Sequence, residues 1–527
     1  MPNQIKNYYP YFLFFIIFII QILIYSDYGL SWDEGFSRLN GIVSFNYIIE
    51  KINIFDSLKY EDTPNLNAYI DNEYGVFFEL INITLEKIFN LNDTKDIYLS
   101  RHLLNSIIFL IAGIYFYCTL NQFYTKSISI LGFLIFFIHP RIFAQSFYNS
   151  KDIIFLSFFC ISSFYFLKYF ITKNIRFLFI LCFFISITIG TRVMGLIIPL
   201  LFIFFFIMEN LESNKYKKIY LLAPFLVLTT GLTILFWPFL WENPLNILLS
   251  IKSMSNYAWD GLVYFEDTYY PGKYLPWYYL PKIIIITSPL LYLILFFYGI
   301  LIITKNLSKN LLNLKNNNNL WNNLEELYCF YSIIIIFSTI IIITELNSTI
   351  YNGWRQIYFI YPSIIFICVY GLNKLLKFKN YKNPIFFILF TAIIYIIGWN
   401  YQNHPHQYVY YNLLINKKNI KNYELDYWGV SNLEILNKIS EIENYENKNI
   451  FIFSESPYQY SLKMMEKDKA ENFNFVNNIN NADLIITNHY YQSKDPKIEE
   501  KYLKSNFKLI YEIRSNNVRI NSIYKKK

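Results

Sequence analysis

The first apolar run of the chain and the acidic pair after it indicate the class of fold: residues 8–38 read "YYPYFLFFIIFIIQILIYSDYGLSWDEGFSR". Residues 8–25 contain no charged side chain. A helix needs about 20 apolar residues to cross the hydrocarbon of a bilayer. We therefore predict a membrane-spanning helix here, and an anchor rather than a removed signal peptide, because no small-residue cleavage site follows. Asp33 and Glu34 then lie just beyond the membrane edge.

The composition of the whole chain agrees with a membrane protein. Of 527 residues, 54% are hydrophobic and 21% aromatic, and only 16% are charged, which excludes an ordinary soluble domain. The net charge of +8 is modest and is typical of Lys and Arg that flank membrane helices, not of a nucleic-acid-binding surface. The five cysteines lie in or beside apolar runs without metal-ligand spacing, so we interpret them as small buried hydrophobes.

Apolar runs recur along the first 400 residues and predict about eleven membrane-spanning helices. The run 127–139 is the shortest and is marginal for a span. The predicted spans are 8–25, 103–120, 127–139, 153–171, 175–190, 193–208, 219–237, 283–304, 328–344, 356–373 and 384–400.

Charge in the short loops predicts the orientation. With the N-terminus in the cytoplasm, the inner segments hold clearly more Lys and Arg than the outer loops after the first. The long loop 26–102 is exempt, because long loops translocate largely regardless of charge. This N-in, C-out arrangement places every unusual polar cluster on the outer face.

The last part of the chain predicts a different kind of unit. We divide the protein into a transmembrane domain, 1–400, and a small extracytoplasmic α/β domain, 401–527. The segments "KNIFIFS", "ADLIITN", "FKLIYEIR" and "VRINSIY" are typical of strands, and "SNLEILNKISEI" is typical of an amphipathic helix. The fold class is therefore mainly α, a polytopic helix bundle with a small α/β domain.

The acidic pair in "SWDEGFSR" is the first candidate site. A carboxylate at headgroup depth can take a proton from an incoming hydroxyl or hold a divalent cation against a lipid phosphate. We therefore treat Asp33 and Glu34 as candidate catalytic residues. The alternative is a charged flank of a helix end without a chemical role.

Further polar clusters follow at predicted outer loops. "HPRIFAQSFYNSKD" brings two cations and a carboxylate into one short loop. Such a concentration of charged side chains suits a phosphate-binding site. The alternative is a polar hairpin whose charged side chains extend to water. "GTRVMG" and "YNGWRQIYFIYP" each add an arginine, which alone would indicate a turn or a membrane anchor. The candidates are Asp152 as a second acid, Arg141, Lys151, Arg192 and Arg355 for the phosphate, and Tyr148 for the sugar or acceptor.

The outer loop 238–282 is crowded with Trp and Tyr residues, with carboxylates between them. Aromatic faces stack on sugar C–H groups while acids bind the hydroxyls, so Trp259 and Asp260 are candidates for sugar or acceptor binding. An aromatic belt at the membrane interface explains the loop equally well. His404 and His406 fit a link between domains better than a metal site.

With these motifs in view, the chain resembles the C-type superfamily of integral-membrane glycosyltransferases. It is similar in layout to the protein O-mannosyltransferases and the lipid A aminoarabinose transferases. The resemblance covers residues 1–400 and rests on a first helix followed by a long outer loop that opens with "WDE", then on "RIFAQSFYNSKD" and "GWRQIYFIYP". Asp33 matches the catalytic acid position of the first loop, Glu34 its neighbour and Asp152 the second acidic position.

The resemblance implies transfer of a sugar from a polyprenyl-phosphate donor, with inversion, on the outer face of the membrane. The acceptor would be a hydroxyl of a glycan, lipid or protein, and a divalent metal ion is a candidate cofactor whose ligands the sequence does not identify. Membrane lipids are expected partners and nucleic acid is not. We favour the bacterial inner membrane.

Two other functions compete with this interpretation. A polymerase or ligase that uses a diphosphate-linked glycan would have a large outer loop late in the chain. A transporter or flippase for lipid-linked sugars would be expected to carry ionisable residues near the bilayer centre, and the sequence has almost none there.

Overall fold

A computed structural model describes residues 2–53, 56–212, 216–312, 320–442, 445–490 and 496–527. Its longer helices are α1 Pro2–Ile24, α2 Glu34–Ile52, α3 Phe77–Ile88, α4 Thr94–Leu120, α5 Lys126–Phe137, α6 Pro140–Tyr148, α7 Asp152–Thr172, α8 Ile175–Ile189, α9 Ile197–Glu212, α10 Leu222–Phe236, α11 Asn246–Ser255, α12 Tyr279–Thr287, α13 Leu290–Leu312, α14 Leu324–Glu345, α15 Tyr361–Leu375, α16 Lys382–Gln402, α17 Asn432–Ser440 and α18 Pro496–Asn506. The strands are β1 Leu262–Phe265, β2 Thr268–Pro271, β3 Asn449–Ile452, β4 Asn474–Phe475, β5 Leu484–Thr487, β6 Phe507–Ser515 and β7 Val518–Lys526.

The predicted class, a polytopic helical membrane protein, is confirmed. Within the described ranges, nine helices are long and apolar enough to cross a membrane. The bent pair α5 and α6 would raise the number to ten, and α8 is apolar but only 15 residues long. The predicted spans 127–139 and 175–190 correspond to α5 and α8, each of which alone is too short to count as a membrane-spanning helix.

The segment predicted as a polar hairpin, 139–152, is mostly helical. Helix α5 ends at Phe137, and Pro140 opens α6, where its missing N–H costs no hydrogen bond. His139 caps α6 by accepting the backbone N–H of Ile142 at 3.5 Å. The two helices meet at 66°. The bend carries the chain to the N-terminus of α7, where Lys151 and Asp152 lie.

The first outer loop folds against α4 through buried ion pairs. Arg101 of α4 binds both Glu79 and Glu86 of α3, the latter at 2.8 Å. Arg38 of α2 donates to Glu86 at 2.8 Å and 3.0 Å. These ion pairs neutralise the charged groups inside the protein and fix the orientation of α2. Asp33 is the residue just before its first turn.

The C-terminal part forms a five-stranded sheet with the order β4-β3-β5-β7-β6. Strand β3 is parallel to β4 and β5, whereas β7 is antiparallel to both β5 and β6. Helix α17 covers this sheet with Ile435, Leu436 and Ile439 in a shared core. The four segments predicted as strands and the one predicted as a helix form these elements.

The sheet domain packs directly on the membrane bundle. Tyr427 and Trp428 share a hydrophobic core with Phe147 and Tyr148 of α6. The β1–β2 hairpin of the outer loop joins the contact, since the N–H of Asp267 donates to the carbonyl of Asn422 at 3.1 Å. The domain therefore forms one wall of the site described below.

Candidate active site

Charged residues from four distant segments meet around Arg355. Its Nη1 lies 3.0 Å from Oδ2 of Asp33 and 3.1 Å from Oδ2 of Asp152. The other oxygen of Asp152 is 2.5 Å from Nη2 of Arg192. Asp33 and Asp152 thus share one guanidinium and must lie on the same side of the protein.

Local chain geometry positions each of these groups. Asp33 is the residue before the first turn of α2, and Asp152 is the first residue of α7. Asn149 accepts the N–H of Asp152 at 2.9 Å and donates to its carboxylate at 3.0 Å. Arg355 follows Gly353, whose φ of +78° is costly for residues with a side chain. Glycine there permits the turn that aims Arg355 inward.

Aromatic rings hold the cations of the site. The guanidinium of Arg355 lies 4.8 Å from the ring centroid of Tyr351 and 4.7 Å from that of Trp428. Nζ of Lys151 lies 4.3 Å from the ring of Tyr74. Such contacts stabilise a desolvated cation without neutralising it. The rings therefore help to keep the cations in place at the site.

These residues border a cavity of about 240 Å³, which we call the catalytic cavity. Asp33, Lys151, Arg192 and Arg355 line it, and Asp152 lies behind Arg355 and Arg192. Its other lining residues are Trp32, Phe36, Asp71, Tyr74, Tyr257, Trp259, Tyr351, Asn352, Tyr427, Trp428 and Tyr490.

The two acids at the site have different environments. The Asp152 side chain is fully buried, whereas the Asp33 side chain is 32% exposed. Burial acts to raise the pKa of Asp33, but the positive charges of Arg355, Lys151 and Arg192 outweigh it, so the pKa is lowered. Burial lowers the pKa of Lys151, although Asp33 opposes that shift. Asp33 is consequently ionised at neutral pH and accessible from the cavity.

Six of the predicted residues come together at this site: Asp33, Lys151, Asp152, Arg192, Trp259 and Arg355. Trp259 stacks on Tyr351 with ring centroids 4.3 Å apart and forms part of the cavity wall. Three of the four cations expected to bind phosphate thus lie together with two of the three acids expected to do chemistry.

Four predicted residues do not line the catalytic cavity. Glu34 is buried, with Oε1 2.8 Å from Nε2 of His102 and Oε2 accepting the N–H of Ser31 at 2.7 Å. Nε of Arg141 donates to the carbonyl of Tyr410 at 2.9 Å, in the interior. Tyr148 is buried beneath Trp428, and Asp260 points to solvent.

Several wall residues were missed from the sequence. Asp71 lies in the long first loop, where one carboxylate among many polar residues gives no signal. Tyr427, Trp428 and Tyr490 come from the C-terminal domain, and in a chain that is 21% aromatic such side chains do not stand out. Only the tertiary contact between domain and bundle identifies them.

The residues at the site do not fit a bound divalent ion. In the described ranges, no group of three or more His, Cys, Asp or Glu side chains is arranged to hold a metal. Asp33 and Asp152 already face cationic side chains. The metal ion therefore stays a prediction, and no step below depends on it. His404 and His406 pair with separate carboxylates, Asp27 at 2.8 Å and Glu434 at 2.9 Å.

Comparison with known proteins finds a family that is similar to part of this chain. A family model described as dolichyl-phosphate-mannose-protein mannosyltransferase matches residues 92–239. That segment includes Lys151, Asp152 and Arg192 of the site. The resemblance to the C-type membrane glycosyltransferases is confirmed. The predicted enzyme class, a glycosyltransferase with a lipid-linked sugar donor, agrees with this match.

Solved structures agree at the level of the fold. The apo crystal structure of ArnT from Cupriavidus metallidurans has a TM-score of 0.52 at 10% identity, over 99% of this chain and 98% of that chain. The oligosaccharyltransferase of Archaeoglobus fulgidus, in its apo form, has a TM-score of 0.49 at 11% identity, over 96% of this chain and 73% of that chain. No curated protein matches the sequence significantly. The ArnT similarity shows that the two proteins share a fold over nearly the entire chain.

Proposed function

We propose that the protein transfers a sugar from a polyprenyl-phosphate-linked donor to an acceptor hydroxyl, with inversion and with Asp33 as the general base. The observation that carries this proposal is the partly exposed Asp33 carboxylate beside Lys151, Arg192 and Arg355 in one cavity. An accessible base and a set of cations are what such a displacement needs. ArnT from Cupriavidus metallidurans has also been crystallised with undecaprenyl phosphate, which supports a lipid-phosphate ligand.

The cations of the cavity suit the donor phosphate. Lys151, Arg192 and Arg355 line the cavity, and Arg355 also binds Asp33. Arginine offers a planar fork to phosphate oxygens and lysine a point charge. The lipid tail would stay in the bilayer while its headgroup enters the cavity. Donor and base are thereby brought together without extracting the lipid from the membrane.

The reaction is a single displacement at the anomeric carbon. Asp33 takes the proton of the acceptor hydroxyl as its oxygen attacks C1 of the sugar. The bond between C1 and the phosphate oxygen breaks, and its electron pair leaves with the polyprenyl phosphate. The cations stabilise the charge that develops there. Because the leaving phosphate needs no proton, one carboxylate suffices, in contrast to hydrolytic glycosidases, which use two.

The orientation and location of the protein belong to the same proposal. The positive-inside distribution supports a cavity on the outer face, where a hydroxyl acceptor can approach from water. We propose a bacterial inner membrane with the site on the periplasmic side. The absence of an acidic relay at mid-membrane in the sequence supports an enzyme over a transporter.

The test is the Asp33→Asn variant, reconstituted with a labelled polyprenyl-phosphate sugar. We expect transfer to fall at least about 100-fold, because a general base contributes about 10²–10⁴-fold. Asp62→Asn is the matched control: Asp62 is exposed in the same loop, and its φ of 52° is one that asparagine adopts readily. Retention of most activity in Asp33→Asn would contradict the role of base. Movement of the donor across liposomes without a new glycoside would instead indicate a flippase.

A further inference from the structure

A second cavity of about 310 Å³ lies beside the catalytic cavity, and we call it the distal cavity. Four separate segments form it: the β1–β2 hairpin, residues 421–425, residues 489–490, and the turn between β6 and β7. The hairpin is held there by the Asp267–Asn422 hydrogen bond and by a bridge between Phe265 and Tyr423. The distal cavity therefore exists only because the sheet domain docks on the outer loop.

The walls of the distal cavity are aromatic on one side and cationic on the other. Tyr264 and Tyr269 contribute rings with centroids 4.7 Å apart. Lys421, Arg514 and Arg519 supply positive charge, against two acidic residues of the lining, Asp267 and Glu424. Glu512, next to the cavity, lies 2.5 Å from each of the two arginines and offsets part of their charge. The lining retains a net positive character.

Glu424 adds a buried polar group to this wall. Its side chain is only 7% exposed, and Oε1 has no hydrogen-bond partner among the described residues. Burial raises the pKa of Glu424 to about 8, so the group is mostly protonated at neutral pH. Glu424 therefore adds no full negative charge to this wall at neutral pH.

The two cavities are neighbours through the C-terminal domain. Tyr490 lines both of them. Residues 424–425 line the distal cavity, and residues 427–428 line the catalytic cavity, so one short segment passes from one wall to the other. A ligand seated in the distal cavity is consequently adjacent to the site that contains Asp33 and Arg355.

We propose that the distal cavity binds the acceptor and that the acceptor is a carbohydrate bearing an anionic group, either a phosphate or a carboxylate. This inference rests on the proposed function and names the substrate class for it. Tyrosine rings stack on sugar faces, and arginine and lysine bind phosphate or carboxylate. A hydroxyl of the same carbohydrate then extends past Tyr490 toward Asp33. A peptide acceptor would not need this combination of paired rings and cations.

The first test measures binding to the full-length protein in nanodiscs. The probes are a disaccharide 1-phosphate, a disaccharide of the same length that carries a uronate, and the neutral disaccharide. We expect at least one of the two anionic probes to bind the wild type. The probe with the higher affinity identifies the anionic group. In the double variant Lys421→Gln with Arg514→Gln, that affinity should fall at least about 10-fold, which corresponds to about 1.4 kcal/mol.

Controls separate a local effect from a general one. Lys508→Gln removes an exposed cation of strand β6 outside the cavity and should bind as the wild type does. Glu424→Gln keeps a neutral hydrogen-bond donor and should retain binding. Equal affinity for the neutral disaccharide, or stronger binding of a serine peptide of matched charge, would overturn the proposal.

A transfer assay distinguishes this inference from the proposed function. With the bound carbohydrate as acceptor, the double variant should show a KM for acceptor raised at least about 10-fold, with an unchanged KM for donor. If the wild type transfers sugar but the double variant has an unchanged acceptor KM, the role of the distal cavity in acceptor binding is overturned, while the proposed function stands. Failure of the wild type to consume any polyprenyl-phosphate sugar would overturn the proposed function, whatever the binding result.

Discussion

At the residue scale, the site uses two aspartates for different purposes. Asp152 is fully buried and held by Asn149, Arg192 and Arg355, so it fixes the positions of two guanidinium groups. Asp33 shares Arg355 but remains partly exposed to the cavity. In the proposed mechanism, an accessible base lies beside an inaccessible anchor, which would account for the two carboxylates at one site.

Removing the charge of Lys151 should change the pH dependence of the reaction. Lys151 is among the cations that hold the pKa of Asp33 below its usual value, opposing burial, which would raise it. Asp33 acts as a base only when ionised, so activity falls as the pH drops through its pKa. In Lys151→Met that pKa rises, and the acid limb of the kcat/KM profile should move to higher pH.

The matched control for this profile is Lys252→Met, which removes an exposed cation of α11 outside the catalytic cavity. Its acid limb should coincide with that of the wild type. An unshifted limb in Lys151→Met, with measurable activity, would show that another group controls the acid side.

The sequence could identify charged residues at the ends of apolar runs but not the directions of their side chains. Asp33 and Glu34 are adjacent, yet one faces the cavity and the other faces His102 in the interior. Arg141 was predicted with Lys151 for the phosphate, but α6 turns it toward Tyr410. Successive residues of a helix project about 100° apart, so tertiary packing decides which of them reaches the site.

At the element scale, the first outer loop is a folded unit and not a linker. Helices α2 and α3 are joined to α4 by the Arg38–Glu86 and Arg101–Glu79 ion pairs. Hydrophobic periodicity is weak in α2, since many of its buried residues are polar or small. This helix was for that reason not predicted, whereas the apolar spans and four of the five strands of the C-terminal sheet were.

Replacing the central arginine of that network should destabilise the protein. In Arg101→Met, Arg38 still pairs with Glu86, but Glu79 is left buried without its cation. Breaking a buried pair in this way costs about 3–5 kcal/mol. We expect a clearly lower thermal midpoint in detergent. Lys95→Met, on the same helix α4, is the control and should melt close to the wild type. Equal midpoints for the two variants would contradict this role.

At the scale of the whole molecule, the catalytic cavity is shared between the bundle and the sheet domain. Trp428 and Tyr490 belong to the domain, whereas Asp33 and Arg355 belong to the bundle. The domain is also attached by polar contacts at its rim, including Tyr98 with Tyr460 at 3.0 Å and Asp27 with His404 at 2.8 Å. Undocking the domain would open the site.

The contact between Glu434 and His406 should make the stability of the sheet domain sensitive to acid. Burial acts to raise the pKa of Glu434. The hydrogen bond and the electrostatic interaction with His406 lower the pKa by more than burial raises it, so the net shift is downward. A carboxylate whose pKa is lowered by folding stabilises the folded state at pH values above its unfolded pKa of about 4.3. This contribution is lost as the pH falls through the folded pKa. Tyr511, Lys438 and Glu441 are the other titratable groups beside it.

Glu434→Gln should therefore melt below the wild type at neutral pH, and the two melting midpoints should converge below about pH 4. The measurement is the thermal midpoint of each protein over a series of acidic buffers. A difference between the two that persists unchanged in acid would show that the carboxylate charge is not responsible.

The guanidinium shared by Asp33 and Asp152 has a kinetic consequence. In the empty site, Arg355 is engaged by both carboxylates, and Asp33 is a weak base because of it. A donor phosphate that competes for Arg355 weakens that engagement and strengthens the base while the donor is in place. The strength of the proposed base would thus depend on whether the donor is bound.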